Sequence, residues 1–207
     1  MKIEVWSDFA CPFCYIGETK LNRALKELNL DDEALIVYKS FQLNPNATSQ
    51  KGKDLNQLIS EKYGIPYEQA VASNRNIVNV AKESGLNFNF NKIQPGNTAL
   101  AHELHKYSET INKDLEMAEV IFKAYFEDGI DISDKVELIK LANKVGIKEE
   151  EVEDIFNNKK FSNAVIEDQN LAISNGINSV PFFVIDNKKT ISGAQSIEHF
   201  KMVLGEN

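Results

Sequence analysis

The chain has 207 residues, is 43% hydrophobic and 26% charged, and carries a net charge of −8. This composition fits a globular protein long enough to bury a core without disulfide staples. It counts against a partner bound through phosphates or an anionic membrane, since both need a surplus of Lys and Arg. Only two cysteines are present, three positions apart. That count excludes a secreted disulfide scaffold and leaves catalysis or metal binding.

Ile3 and Val5 alternate with Lys2 and Glu4, the period of a half-buried strand. Leu21, Leu25 and Leu28 then recur at helical spacing, in a helix that starts near Pro12, where proline is tolerated in a first turn. Leu35-Ile36-Val37-Tyr38 is a continuous apolar run of the kind found in a buried strand, ended by Asn44-Pro45-Asn46. From about Asp54 to Asn175 the apolar residues repeat at three and four, with caps or stops at Asn97, Ser133, Gly146 and Gly176, and no strand pattern intervenes. Strand signals return at Pro181–Ile185 and Thr190–Ser192, joined by an Asp186-Asn187-Lys188 turn. Ser196 caps a last helix carrying Ile197, Phe200 and Val203. The order β-α-β, helices, β-β-α predicts an α/β thioredoxin-like fold with a large all-helical insertion between its two halves. The expected bounds are 1–50 with 176–207 for the thioredoxin-like domain and 51–175 for the insertion.

Cys11-Pro12-Phe13-Cys14 falls between the first strand and the first helix. A CxxC beside a βαβ pattern is the sequence mark of a thioredoxin-like redox centre. At a helix start, free N–H groups and the helix dipole favour a thiolate, the form that attacks disulfides. A thiol of pKa ~8.5 is about 3% ionised at pH 7, and one of pKa ~7 about half. Cys11 is therefore the expected nucleophile. Cys14, one turn on, is the expected resolving thiol. Pro12 and Phe13 are expected to set the acidity of the pair.

Pro181 opens a strongly apolar strand, a setting in which a cis bond is common. With the CxxC upstream, Val180 and Pro181 are expected to face an extended substrate segment, paired by strand addition. His102 and His105 have the spacing of a shared helix face and are expected on its polar side with Thr98 and Glu109. A zinc site shared with the cysteines would block the nucleophile, so no metal is expected. Asp8 and Glu18 are the acids nearest the thiols. They read as surface groups, with proton transfer or thiol tuning as their alternative use.

Several segments together resemble the DsbA family of thioredoxin-like proteins, and its cytosolic FrnE-like branch in particular. They are Ser7 to Gly17, Phe41-Gln42-Leu43-Asn44-Pro45, Asn97-Thr98 with Ala101-His102, Val180 to Val184, and Ser192-Gly193-Ala194-Gln195. The resemblance implies protein or peptide thiols as substrates, Cys11 as nucleophile, Cys14 as resolving thiol and Val180-Pro181 as the substrate-facing loop. It also implies that the helix from Asn97 lines the active-site groove, with His102 binding substrate. FrnE-like sequences often carry Trp, and periplasmic DsbA carries His, where this chain has Phe13. Phe13 offers a thiolate no hydrogen bond, which predicts a potential between those of thioredoxin (~−270 mV) and DsbA (~−120 mV).

The expected activity is protein disulfide oxidoreduction, as reductase, isomerase or oxidase. No separate cofactor is expected beyond the Cys11–Cys14 disulfide, with glutathione as a candidate co-substrate. The expected state is a cytoplasmic monomer or homodimer, because no basic-then-apolar leader opens the chain and no apolar run could span a bilayer. Two alternatives stay open. One is a glutathione-dependent isomerase or transferase of the kappa-like branch, whose members typically use one serine at the position of Cys11. The other is a client-binding adaptor without catalysis.

Overall fold

The computed structural model describes residues 1–205, which divide into two compact units, Met1–Leu43 with Ala164 onward and Asn44–Asn163. The first unit holds strands β1 (Lys2–Ser7), β2 (Leu35–Ser40), β3 (Phe182–Ile185) and β4 (Lys189–Ser192), with helices α1 (Pro12–Glu27), α8 (Ser162–Ser174, all but its first two residues) and α9 (Ile197–Gly205). The strand order is β2-β1-β3-β4. β1 and β2 are parallel in the register Ile3 to Ile36 and Ser7 to Ser40. β3 is antiparallel to both β1 and β4. Asp186 and Asn187, both at positive φ, are the central residues of the turn that closes the β3–β4 hairpin, in which Lys188 N donates to Ile185 O at 2.9 Å.

Parity along the strands assigns the two faces of the sheet. Val5 pairs with Phe183, and Trp6 with Phe182. Phe183 meets Phe200 of α9 edge to face, with ring centroids 5.1 Å apart, so the Ile3, Val5 and Phe183 face is covered by α9 and its neighbour α1. Trp6, Phe182 and Val184 pack instead with Ala172 of α8, Ile177 and Phe41. Each fully buried large side chain contributes about 1.5–3 kcal/mol.

This packing corrects the expected domain bounds. Helical period alone pooled α8 with the insertion, but its buried face covers the thioredoxin sheet, and its Asp168 carboxylate accepts from Ser40 N and Lys39 Nζ, each at 3.0 Å. A second correction concerns β2. Its apolar run suggested a buried strand, yet it is a sheet edge, and Leu35 is 62% exposed.

The second unit is helical: α2 (Leu55–Tyr63), α3 (Tyr67–Glu83), α4 (Ala99–Thr110), α5 (Asp114–Lys123), α6 (Lys135–Lys144) and α7 (Glu149–Asn158). Asp54 and Asp134 cap α2 and α6 through their side chains, and Gly64 ends α2 in the left-handed conformation. α4 packs against α5, α6 and α7. α5 runs into a π-helical turn, Ala124–Asp128, which no sequence period announces. That turn delivers Tyr125 and Phe126 into an aromatic cluster with Phe88, Phe90 and Phe122. No helix among the described residues is long and apolar enough to cross a membrane.

Candidate active site

β1 delivers the chain to a short loop whose shape is set by Asp8. The buried Asp8 carboxylate accepts from Ala10 N at 3.2 Å and from Leu43 N at 2.7 Å, tying the loop to the segment that leaves β2. The Cys11 amide donates to Asp8 O at 2.9 Å. Cys11 then caps α1 in an extended conformation, and Pro12 takes the first helical position, where a missing N–H costs nothing. A strand end, a braced turn and a proline-started helix thus bring both cysteines to one junction.

The two thiols are free, hydrogen-bonded to each other and unequal. Cys11 is 5% exposed, and its Sγ donates to Val180 O at 3.6 Å. Cys14 is fully buried, and its Sγ accepts from Asp8 N at 3.5 Å. Burial pushes the Cys14 thiol well above its ordinary value, the bond to Cys11 and the charges of Cys11 and Glu18 push the same way, and the Asp8 amide offsets part of this. Phe13, between them, is 42% exposed.

The Val180–Pro181 peptide is cis, and Pro181 O accepts from Gly193 N at 2.8 Å, fixing the loop to the end of β4. Gly17 of α1 lies directly against this loop: a Cβ there would sit 3.0 Å from Pro181 Cγ and 3.3 Å from Phe183 Cζ. Absence of a side chain at position 17 is what lets α1 and the Pro181 loop approach.

Both acids near the thiols are buried, which corrects the surface reading. Glu18 stands one turn after Cys14 on the same helix face, where spacing alone would have placed it beneath the thiols. Its carboxyl accepts from Ser7 Oγ at 2.7 Å and Tyr38 Oη at 3.0 Å. Burial outweighs these two donors and raises its pKa from 4.5 to about 7.

His102 and His105 are likewise buried rather than solvated. Both belong to α4 of the helical unit, a helix buried on more than one face. Burial foremost, then the Lys106 charge, lowers the His105 pKa from 6.5 to about 3. Its Nδ1 is 3.5 Å from Glu109 Oε1, but that oxygen already accepts from Lys106 Nζ at 2.8 Å, and the imidazole stays neutral. Among the described residues no group of three or more His, Cys, Asp or Glu is arranged to hold a metal ion.

The fold has close counterparts. A probable DsbA oxidoreductase from Streptomyces coelicolor superposes with a TM-score of 0.93 at 29% identity, over 100% of this chain and 91% of that one. The uncharacterized protein YwbO of Bacillus subtilis is 25% identical over 99% of this chain and 96% of its own length. The cytosolic disulfide reductase DsbM of Pseudomonas aeruginosa, in a structure with GSH, shares the fold at a TM-score of 0.70 and 14% identity, over 99% of this chain and 98% of that one. The family model of the DSBA-like thioredoxin domain matches residues 2–205, nearly the whole chain and both halves of the interrupted sheet. With its paired thiols at the strand–helix junction and that match from end to end, the chain belongs to the DsbA-like thioredoxin family of thiol oxidoreductases.

Proposed function

We propose that this chain exchanges disulfides with protein or peptide thiols through Cys11 and Cys14, in the cytoplasm, as an FrnE-like member of its family. The observation that carries this reading is the asymmetry of the two hydrogen-bonded thiols. Cys11 keeps some exposure and touches the Val180 carbonyl, whereas Cys14 is sealed beneath it.

In the reducing direction the Cys11 thiolate attacks a substrate disulfide. One S–S bond breaks, a Cys11–substrate bond forms, and the released substrate thiolate takes up a proton. Cys14 then loses its proton, attacks Cys11 Sγ and expels the second substrate thiolate. Two electrons and two protons pass to the substrate, leaving a Cys11–Cys14 disulfide. Glu18, with a pKa of about 7 and within electrostatic reach of Cys14, is suited to accept the Cys14 proton near neutrality. In the oxidising direction the same steps run backward. Glutathione is the proposed small co-substrate, a reading supported by the DsbM structure with GSH. A second cysteine hydrogen-bonded to the first also favours disulfide chemistry over a single-nucleophile isomerase.

Titration in graded glutathione buffers tests this, read by alkylation of the thiols and by fluorescence of Trp6, which is buried against Val180. A single two-electron transition is expected between ~−270 and ~−120 mV. Cys14→Ser is expected to accumulate a mixed disulfide at Cys11, and Cys11→Ser to accumulate none. Failure to form a reversible Cys11–Cys14 disulfide at any poise overturns the proposal.

A further inference from the structure

The helical unit holds a cleft of about 320 Å³ between α2, α3 and the segment after α3, lined by Asn56, Asn74, Arg75, Asn89, Asn91, two valines and two phenylalanines. Its composition is unusual for a chain of net charge −8. No carboxylate lines it, and one cation does.

The wall is built by the alternation Asn87-Phe88-Asn89-Phe90-Asn91. This extended segment is held by Asn89 N donating to Phe126 O at 2.7 Å. Phe88 stacks on Phe126 of the π-helical turn, with centroids 4.7 Å apart, and Phe90 meets the same ring edge-on. Gly129, at φ +74, lets the following residues lie against the turn, since a Cβ there would come within 2.6 Å of Lys92 O. The phenylalanines anchor the segment, while the side chains of Asn89 and Asn91 form no hydrogen bond among the described residues.

Opposite, Asn74 is buried and donates to Asn56 Oδ1 at 2.7 Å. Two acids adjoin the lining residues: Asp54 is committed to the cap of α2 and to the Tyr67 hydroxyl, and Glu127 accepts from Asn87 N at 3.4 Å. Of the two arginines in the chain, Arg23 pairs with Glu27, whereas Arg75 pairs with no acid among the described residues.

We propose that this cleft binds the C-terminal residue of a peptide. A guanidinium matches one carboxylate with two parallel hydrogen bonds, and a single cation balances one negative charge, not the two of a phosphate monoester. Carboxamides offer a donor and an acceptor side by side, the complement of a peptide group. Val71 and Val78 with the two phenylalanine rings give the terminal side chain an apolar seat. The volume lies at the small end of ligand sites and suits one or two residues rather than a nucleotide cofactor.

Three probes separate the sources of the carboxylate: N-acetyl-Val-Leu, its C-terminal amide, and isovalerate. Each is titrated into the full chain and followed by amide chemical shifts. The acid peptide is expected to shift residues 71–78 and 88–91, with the amide at least about tenfold weaker. Arg75→Gln, at an exposed position, and Asn89→Asp, which sets a like charge in the wall, are each expected to reduce binding of the acid peptide by a similar factor. Equal binding of acid and amide, undiminished binding to both variants, or shifts confined to other segments would overturn the assignment. Isovalerate binding as tightly as the peptide would overturn it too, making the ligand a small free acid.

Discussion

Each unit buries an ionisable group whose pKa burial shifts far, and the two groups are of opposite kind. Beneath the thiols of the first lies a carboxyl, Glu18, with a pKa of about 7; inside the second lies an imidazole, His105, with a pKa of about 3. One cause acts on both, because desolvation favours whichever form is neutral. For an acid that means a raised pKa, and for a base a lowered one. The consequence differs with location. Glu18 changes charge near neutral pH, beside the two thiols that the proposed exchange would protonate and deprotonate. His105 stays uncharged across that range and serves as part of a core. On the proposed mechanism the burial of Glu18 serves the exchange, whereas that of His105 serves packing.

The pH dependence of stability sharpens this contrast, since the signs are opposite. His105 refuses a proton in the folded state that the unfolded chain would take near pH 6.5. Its contribution is therefore complete above pH 6.5 and is lost as the pH falls toward 3, a shift on the order of 5 kcal/mol. Hydrogen exchange of α4 amides should show the helical unit losing about 2 kcal/mol between pH 6.5 and 4.5. His105→Gln, which cannot titrate, should flatten that loss. An unchanged slope in the variant would show that another group carries the acid sensitivity.

Glu18 runs the other way. The folded state keeps a proton that the unfolded chain releases near pH 4.5, so stability falls as the pH rises from 4.5 to 7 and stays reduced above it. The full difference is about 3 kcal/mol. Glu18→Gln should therefore gain stability relative to the native chain as the pH climbs through this window, measured by denaturant unfolding read from Trp6. The same substitution removes the proposed proton acceptor, so resolution of the Cys11 mixed disulfide should slow most at neutral pH. If stability moved as described while resolution kept its native pH profile, Glu18 would be a buried group without a part in the exchange.

The sequence made much of this legible, for identifiable reasons. Periods of two and of three to four set out the sheet, the hairpin and the helices, because each element buries one face. The CxxC at the strand–helix junction stood out because its chemistry needs that spacing. Burial of polar residues was harder to read. Asp8, Glu18, His102 and His105 all looked like surface groups when judged by polarity alone, yet Cys14 and Glu18 share the face that continues through Leu21 and Leu25. That four-residue spacing was a usable signal. For α4 there was none, since a helix enclosed on several sides has no single apolar stripe. The assignment of α8 to the first unit likewise depends on which core its buried face meets, and period says nothing of that.

The smallest expected effect bears on how tightly the thioredoxin-like unit is built. Gly17 sits inside α1, where alanine would ordinarily gain about 1 kcal/mol of helix propensity. The added methyl would stand 3.0 Å from Pro181 Cγ and 3.3 Å from Phe183 Cζ, and overpacking of that degree costs about 1–3 kcal/mol. Gly17→Ala should therefore lose about 1 kcal/mol net. The same displacement of the Pro181 loop should lengthen the Cys11 to Val180 contact and slow exchange with glutathione. Net stabilisation with unaltered exchange would show instead that the loop yields freely, and that the close approach of α1 to Pro181 does not set the geometry at Cys11.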